Sequence, residues 1–168
     1  MQLLVIRHAI AEEREDFAAT GASDDERPLT PFGRRRMRRN ADGLRRVAPR
    51  LTLLASSPLV RAEQTARIVA DRFSLEGFDT IDALRPDSPP KALATWLAKQ
   101  DDAATVAVVG HEPHLGMLVT WFLSGLEEGR VAMRKGGAAL LDFDGRPGPG
   151  RATLAWLLTP AQLRSLGD

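Results

Sequence analysis

The sequence predicts an α/β protein built as a three-layer α/β/α sandwich, with a mostly parallel sheet and an antiparallel hairpin at one edge. Three short aliphatic runs are bounded by charged or small residues and are too short for helices, which is typical of buried parallel strands. These runs are Leu3–Ile6, Leu51–Ala55 and Thr105–Val109. Amphipathic helical patterns follow the runs. Such alternation of strands and helices indicates a layered sheet with right-handed crossovers.

The elements of the first half follow from local start signals. The segment Ala11–Glu26 is acidic, lacks an apolar period and is predicted to be a loop. Thr30 before Pro31 is a helix start, and apolar residues at helical spacing extend this helix to Val47. Ser57 and Pro58 predict the cap and first residue of the next helix, so the second strand and this helix form a βα unit.

The second half of the sequence continues the alternation of strands and helices and then predicts two consecutive strands. A third helix is expected to open at Pro89-Pro90, and a fourth begins at Pro113, after the third strand. Two further strand-like runs, Ala138–Phe143 and Ala152–Leu158, are separated only by the Gly- and Pro-rich segment 145–150. A connection of this length and composition suits a hairpin, which supplies the antiparallel edge.

Length and composition limit the classes of function. The 168 residues, 43% of them hydrophobic and 27% charged, predict one domain over residues 1–168. The absence of cysteine excludes disulfides, iron–sulfur clusters, thiolate zinc sites and a cysteine nucleophile. The net charge of +1 provides no overall field for nucleic acid. The apolar stripes demand no partner subunit, so a monomer is compatible with the sequence.

The sequence also predicts a cytoplasmic protein with no membrane contact. Its longest apolar run is far below the roughly 20 residues that span a bilayer. Its start lacks the basic region and long apolar stretch of a signal peptide. No glycine-rich nucleotide motif occurs, and no cofactor is expected.

Charged and ionisable residues follow each predicted strand. Arg7 and His8 come after the first, Ser57 and then Arg61 after the second, and His111 after the third. Because ligands of open α/β sheets bind beyond the carboxyl ends of the strands, these side chains are expected to converge on one rim. The convergence involves two of the chain's three histidines, although the residues lie far apart in sequence.

Two guanidinium groups and the amino-terminal ends of helices favour a tetrahedral dianion, with phosphate as the natural guest. A neutral imidazole can attack phosphorus at neutral pH without a separate base. A second imidazole, if protonated, would stabilise charge in the transition state. No metal is required. A zinc motif beginning at His111 would need histidine at position 115, which is Leu115, and His114 is interpreted as a helix-start residue.

Three segments resemble the signatures of the histidine phosphatase superfamily, whose fold is phosphoglycerate mutase-like. They are residues 4–9 (LVIRHA), 56–66 (SSPLVRAEQTA) and 108–113 (VVGHEP). The short chain and residues 24–30 (DDERPLT), which precede Gly33, are similar to the SixA phosphohistidine phosphatase branch. The resemblance covers essentially the whole chain.

The resemblance implies that His8 is a nucleophile and that Arg7, Arg61 and His111 complete the phosphate pocket. Arg27 and Ser57 are assigned to substrate binding. Asp24 matches an acidic position of the SixA-like pattern and is a candidate proton donor. The alternative donors are Glu12, Glu13 and Glu112.

The resulting hypothesis is a metal-independent phosphatase that forms phosphohistidine on His8 and acts on protein phosphohistidine. One alternative is a phosphatase of small phosphate monoesters on the same site, and another is a binding module for phosphorylated ligands that has lost turnover. The expected partner is therefore a phosphorylated protein or a small phosphate-bearing substrate. The arginine run 34–39 is interpreted as a solvated helix face, with partner docking as the alternative.

Overall fold

The structure is a computed structural model, and it describes residues 1–167. Within this range the strands are β1 (Gln2–Arg7), β2 (Leu53–Ser56), β3 (Asp79–Thr80), β4 (Thr105–Gly110), β5 (Ala138–Phe143) and β6 (Ala152–Leu158). The helices are α1 (Arg14–Ala18), α2 (Pro31–Val47), α3 (Val60–Phe73), α4 (Pro90–Leu97), α5 (His114–Ser124) and α6 (Pro160–Gly167). Short 3₁₀ turns occur at Asp24–Glu26 and Asp82–Leu84.

The strands form a single sheet in the order β3-β2-β4-β1-β5-β6. Neighbours from β3 to β1 pair in parallel, while β5 is antiparallel to both β1 and β6. The predicted sandwich with an edge hairpin is therefore confirmed. Of the two hairpin strands, only β5 runs against the rest of the sheet.

Alternation along β1 explains the three layers. Leu3 and Val5 enter a core formed with α4 and α5, whereas Leu4 and Ile6 enter a second core formed with α2, α3 and α6. Successive side chains of a strand point to opposite faces, so an aliphatic strand buried on both faces needs helices on both sides.

Helix α2 begins at Pro31, as predicted. The Thr30 hydroxyl caps it by accepting a hydrogen bond from the backbone N–H of Gly33 at 2.9 Å. A Cβ at Gly33 would lie 2.0 Å from the carbonyl oxygen of Ile10. Glycine is thus required for α2 to lie directly against the chain that leaves β1.

Two local predictions were wrong. Helix α3 begins at Val60, not Pro58, because the backbone is still extended at Leu59, which occupies the N-cap position with ψ of 133°. The expected loop 11–26 contains α1 and a 3₁₀ turn, the latter capped by Ser23. Helix α1 buries none of its residues, so it leaves no apolar period in the sequence. The two-residue β3 and helix α6 were not predicted.

Candidate active site

Three adjacent strands end at the predicted rim. Strand β4 lies between β2 and β1, and its last residue, Gly110, pairs with Arg7. The backbone N–H of His8 bonds the Gly110 carbonyl at 3.0 Å, and that of Ser57 bonds Val109 at 3.0 Å. The residues that follow β1, β2 and β4 therefore lie side by side, as the sequence predicted.

The His8 ring is held with one nitrogen engaged. It is 5% exposed, and its Nδ1 lies 2.7 Å from the carbonyl oxygen of Ala9. Because a carbonyl only accepts hydrogen bonds, Nδ1 carries the proton of the neutral ring, and Nε2 keeps its lone pair. The ring centroid is 5.1 Å from that of His111.

The surroundings of His8 keep this ring neutral. The pKa of His8 is lowered to about 3, first by burial and then by the charges of Arg61, Arg7 and Arg27, against the opposing effect of the Ala9 hydrogen bond. Nε2 is therefore unprotonated at neutral pH. This is the form in which an imidazole acts as a nucleophile.

His111 is oriented by Ser57. Its Nε2 lies 2.8 Å from the Ser57 hydroxyl, which also accepts a hydrogen bond from the N–H of Leu59 at 3.4 Å. When the hydroxyl donates its proton to Nε2, the neutral His111 ring carries its own proton on Nδ1. The pKa of His111 is lowered to about 2, first by burial, with the charge of Arg61 acting in the same direction. A neutral donor therefore replaces the imidazolium considered from sequence.

Arg7 is fixed by a segment distant in sequence. Its Nη1 donates to the carbonyl oxygen of Met133 at 2.7 Å, and the Met133 N–H donates to Glu112 Oε1 at 2.8 Å. The N–H of Gly136, a residue with φ of 78°, lies 3.1 Å from the carbonyl oxygens of both Arg7 and His8. Residues 133–136 therefore hold the end of β1 in place.

Asp24 joins two buried arginines. Its Oδ1 accepts from Arg27 Nε at 2.8 Å, and its Oδ2 lies 3.1 Å from Arg61 Nη2. Arg61 Nη1 also donates to the Asp24 carbonyl at 2.8 Å, and Arg27 Nη1 donates to the carbonyl of Glu12 at 2.7 Å. The exposed Arg14 completes the cluster at 3.5 Å from Oδ1.

The electrostatics of Asp24 oppose the role of proton donor. Burial raises its pKa, but the hydrogen bond from Arg27 and the charges of Arg61, Arg27 and Arg14 outweigh burial and lower it. The carboxyl group is therefore ionised near neutral pH. The contacts of Asp24 indicate that it orients Arg61 and Arg27.

The structure also shows where Arg27, Ser57 and Glu112, three further residues named from the sequence, lie relative to the rim. Arg27 is 7% exposed and lies close enough to lower the pKa of His8, consistent with a place at the rim. Ser57 is fully buried and hydrogen-bonded to His111, so its contacts favour positioning that ring over binding substrate. Glu112 belongs to the hydrogen-bonded network of Arg7 through Met133.

Buried polar atoms without a hydrogen-bond partner concentrate at this rim. Among residues 1–167 they include Arg7 Nε, Arg61 Nε and His111 Nδ1. His114 is the first residue of α5, as predicted, and is fully buried. Since buried polar groups are normally hydrogen-bonded, the three rim nitrogens are candidate donors to an anionic ligand.

Sequence reasoning did not assign a role to Thr65. Its hydroxyl donates to the Arg61 carbonyl at 2.7 Å and accepts from the N–H of Ala9 at 3.1 Å, which ties α3 to the residue after His8. A polar side chain in the otherwise apolar stripe of α3, one turn after Arg61, was the available signal.

The chain is similar to known proteins over most of its length. Residues 3–85 match the model of the histidine phosphatase superfamily (branch 1). The chain is 35% identical over 118 residues to an uncharacterized protein of Picosynechococcus sp., covering 69% of each. It is 28% identical over 167 residues to the phosphohistidine phosphatase SixA of Escherichia coli, covering 98% of this chain and 97% of SixA.

The chain belongs to the histidine phosphatase superfamily. A structure of the protein histidine phosphatase SixA complexed with tungstate superimposes with a TM-score of 0.82 at 28% identity, covering 97% of this chain and 99% of that one. The phosphoserine phosphatase of Entamoeba histolytica shares the fold, with a TM-score of 0.73 at 16% identity over 96% and 98% of the two chains. This histidine phosphatase therefore has the enzyme class that the sequence predicted, a phosphatase with a histidine nucleophile.

Two further features concern ligands and membranes. Across residues 1–167, no group of three or more histidine, cysteine, aspartate or glutamate side chains is arranged to hold a metal ion. In the same range, none of the helices has both the length and the apolar character needed to span a bilayer.

Proposed function

We propose that this histidine phosphatase removes phosphate from phosphohistidine side chains of proteins, with His8 as the nucleophile. The observation that carries the proposal is the unprotonated Nε2 of His8, close to three buried donors that have no partner. These donors are Arg7 Nε, Arg61 Nε and His111 Nδ1. A phosphoryl group that accepted hydrogen bonds from these nitrogens would be held near the His8 ring, which lies 5.1 Å from the His111 ring between centroids.

In the first step, His8 Nε2 attacks phosphorus while the bond from phosphorus to the substrate imidazole breaks. The electron pair of that bond stays on the substrate nitrogen. When the other nitrogen of the substrate ring carries a proton, the leaving group is a neutral imidazole. The phosphoryl oxygens gain negative charge in the transition state, and Arg7, Arg61 and His111 are positioned to stabilise it.

In the second step, water attacks the phosphoryl group on His8. The new bond joins the water oxygen to phosphorus, the bond to Nε2 breaks, and both water protons leave with the product as dihydrogen phosphate. His8 returns as a neutral ring with its proton still on Nδ1. The hydrogen bond to the Ala9 carbonyl therefore fits every stage of the cycle.

The state of Asp24 supports phosphohistidine over alcohol esters. An alkoxide needs a proton from a general acid, whereas a neutral imidazole leaves without one. The arginines around Asp24 hold its pKa below the usual range against the effect of burial, so it is a poor acid. The names of SixA relatives, which describe phosphohistidine and protein histidine phosphatases, point to the same substrate class.

Glu112 favours one competing substrate class, small phosphate monoesters. Its carboxylate directly follows His111 in sequence and shares Met133 with Arg7, so it is the acidic group best connected to the site for protonating an alkoxide. Glu112→Gln separates the two functions. We expect it to retain phosphohistidine hydrolysis within about twofold, whereas a monoesterase that relies on this acid would lose about 10² to 10⁴ in rate.

Rapid-quench labelling tests the proposal. A peptide carrying ³²P-phosphohistidine should transfer acid-labile, alkali-stable label to the enzyme, and peptide mapping should place it on His8 among the three histidines. His8→Ala should lose label and turnover while its thermal unfolding stays cooperative. Turnover without label on His8 would refute the mechanism. Tight binding of the phosphopeptide without turnover would instead establish a binding module.

A further inference from the structure

A groove lined by arginines lies between α2 and α3. It encloses about 320 Å³. Its polar lining consists of Arg34, Arg38, Gln64, Arg67, Asp71 and Arg72. Four of these six residues are cationic and one is anionic, in a chain whose net charge is only +1. The groove is therefore a local concentration of positive charge.

The arginines on the α2 wall are not used by the fold. Within residues 1–167, neither Arg34 nor Arg38 makes a side-chain hydrogen bond or ion pair. They lie four positions apart on one helix, where two like charges destabilise it. On the opposite wall, Arg72 pairs with Asp42 and Arg67 lies over the Phe78 ring. A pair of unpartnered like charges is a feature that an anionic partner would compensate.

The groove begins next to the phosphate site. Gln64 lies one turn after Arg61, and its Oε1 accepts from the N–H of Leu29, two residues after Arg27. From Gln64 the groove follows α3 to Arg72, eight residues on, which is about 12 Å along the helix axis. That length accommodates about four residues of extended chain.

We propose that this groove binds an acidic polypeptide segment next to the phosphorylated histidine of the substrate protein. The inference rests on the proposed function, because it assigns a docking surface to the same substrate. The segment would carry about four residues rich in aspartate and glutamate, matching the groove's charge and length. Electrostatic attraction of this kind accelerates encounter and selects partners, and salt screens it.

Three phosphohistidine peptides, differing only in an adjacent four-residue flank of glutamate, glutamine or lysine, test the proposal. We expect kcat/KM to be highest for the glutamate flank, roughly tenfold above glutamine, with the advantage lost in high salt. A triple variant of the groove should lower kcat/KM for the glutamate peptide to the value for the glutamine peptide. Its substitutions are Arg34→Gln, Arg38→Gln and Arg67→Gln. Turnover of phosphoramidate, a small phosphorus–nitrogen substrate without a flank, should stay unchanged.

The matched control removes three exposed arginines elsewhere, by Arg50→Gln, Arg146→Gln and Arg151→Gln. This variant has the same net charge as the groove variant and should retain the preference for glutamate. Equal losses in both variants, or a preference that survives in the groove variant, would overturn the proposal. Thermal unfolding checks both folds, and glutamine is a good helix former, so the α2 and α3 changes should be tolerated.

A binding measurement separates this proposal from the proposed function. His8→Ala is titrated with the three peptides, each carrying a non-hydrolysable phosphonate analogue of phosphohistidine. A preference for the glutamate flank that depends on the groove supports docking even if the wild-type enzyme fails to hydrolyse phosphohistidine. Groove-dependent binding of single-stranded DNA or anionic vesicles that is tighter than binding of the glutamate peptide would assign the surface to those partners and overturn the proposal.

Discussion

The arginines of the rim and the arginines of the groove differ in what holds them. Arg7, Arg27 and Arg61 each donate to a backbone carbonyl, from Met133, Glu12 and Asp24 respectively. The groove's Arg34 and Arg38 have no such partner in the described range of the chain. Fixed donors recognise one anion in one geometry, whereas free side chains attract any acidic surface at longer range. The proposed function and the proposed docking surface therefore use the same residue type in two different ways.

Arg61→Lys disrupts the fixed arginines of the rim and should have the largest effect of the substitutions considered. A lysine carries its three N–H groups on one nitrogen, so it cannot spread them over the carbonyl and the carboxylate of Asp24 and a phosphate as the planar guanidinium can. We expect kcat/KM on a phosphohistidine peptide to fall by about 10² to 10³, as on removal of an oxyanion donor. Arg50→Lys, an exposed arginine far from the rim, is the control. A loss below threefold at Arg61 would contradict the fixed-donor interpretation.

The pKa of His8 sharpens the comparison, because the rim arginines help to set it. This pKa is lowered to about 3, first by burial and then by the charges of Arg61, Arg7 and Arg27. In NMR titrations from about pH 8 to about pH 5, the ring should therefore not titrate, unlike a free histidine with a pKa of about 6.5. Arg61→Gln should raise the His8 pKa, and Arg34→Gln should leave it unchanged. A wild-type midpoint near 6 would show that the ring is not held neutral.

Asp24→Asn tests whether Asp24 stabilises the protein by holding Arg61 and Arg27 together. The carboxylate is partly exposed, so we expect a loss of about 1 kcal/mol near neutral pH, discounted for solvent screening. The pKa of Asp24 is lower in the folded state than in the unfolded state. The stabilisation by Asp24 is therefore present above the unfolded pKa of about 3.9, and it is lost as pH falls through the folded pKa. Urea unfolding should show wild type and variant converging below about pH 4.

Asp25→Asn is the matched control for this measurement. Asp25 lies in the same 3₁₀ turn and pairs with the exposed Arg85 at 3.2 Å. An exposed ion pair contributes little because solvent screens it, so its loss should destabilise the protein less than the loss of the Asp24 contacts. Equal destabilisation by the two substitutions would mean that Asp24 has no special role in holding Arg61 and Arg27.

Arg34→Glu should have the smallest effect and the opposite sign. It replaces the like-charge pair with Arg38 by a glutamate four residues before an arginine, and places negative charge near the start of α2. We expect stabilisation of about 0.3 kcal/mol in thermal unfolding, decreasing with salt. Arg34→Gln only removes the repulsion with Arg38, so its stability should lie between those of the wild type and Arg34→Glu. Destabilisation would show that Arg34 has a structural partner.

The sequence was informative where strands and caps impose a pattern. Aliphatic runs predicted β1, β2 and β4, and the chemistry at their carboxyl ends placed His8 beside His111. Helix α2 was predicted to the residue because Thr30 and Pro31 mark its start. Helix α6 has an equivalent signal that was overlooked, since Thr159 and Gln162 form the reciprocal bonds of a capping box.

Other features could not be predicted because they depend on contacts between distant residues. The role of Asp24 follows from two arginines that only the fold brings to it, and lowering of its pKa follows from their charges. The bond from Arg7 to the Met133 carbonyl spans 126 residues and uses a backbone atom, which carries no residue-type signal. Helix α1 lacks a buried face, so periodicity could not reveal it.

The pairing of Arg7 with Gly110 has a consequence for how such a protein can change over evolutionary time. His8 and His111 are the next residues along two neighbouring strands, and inserting or deleting one residue in either strand would turn one imidazole to the opposite side of the sheet. Connections that do not contact the rim can change length without moving these rings, whereas the lengths of β1 and β4 can change only together. Diversification within this architecture is therefore confined to its loops and helices.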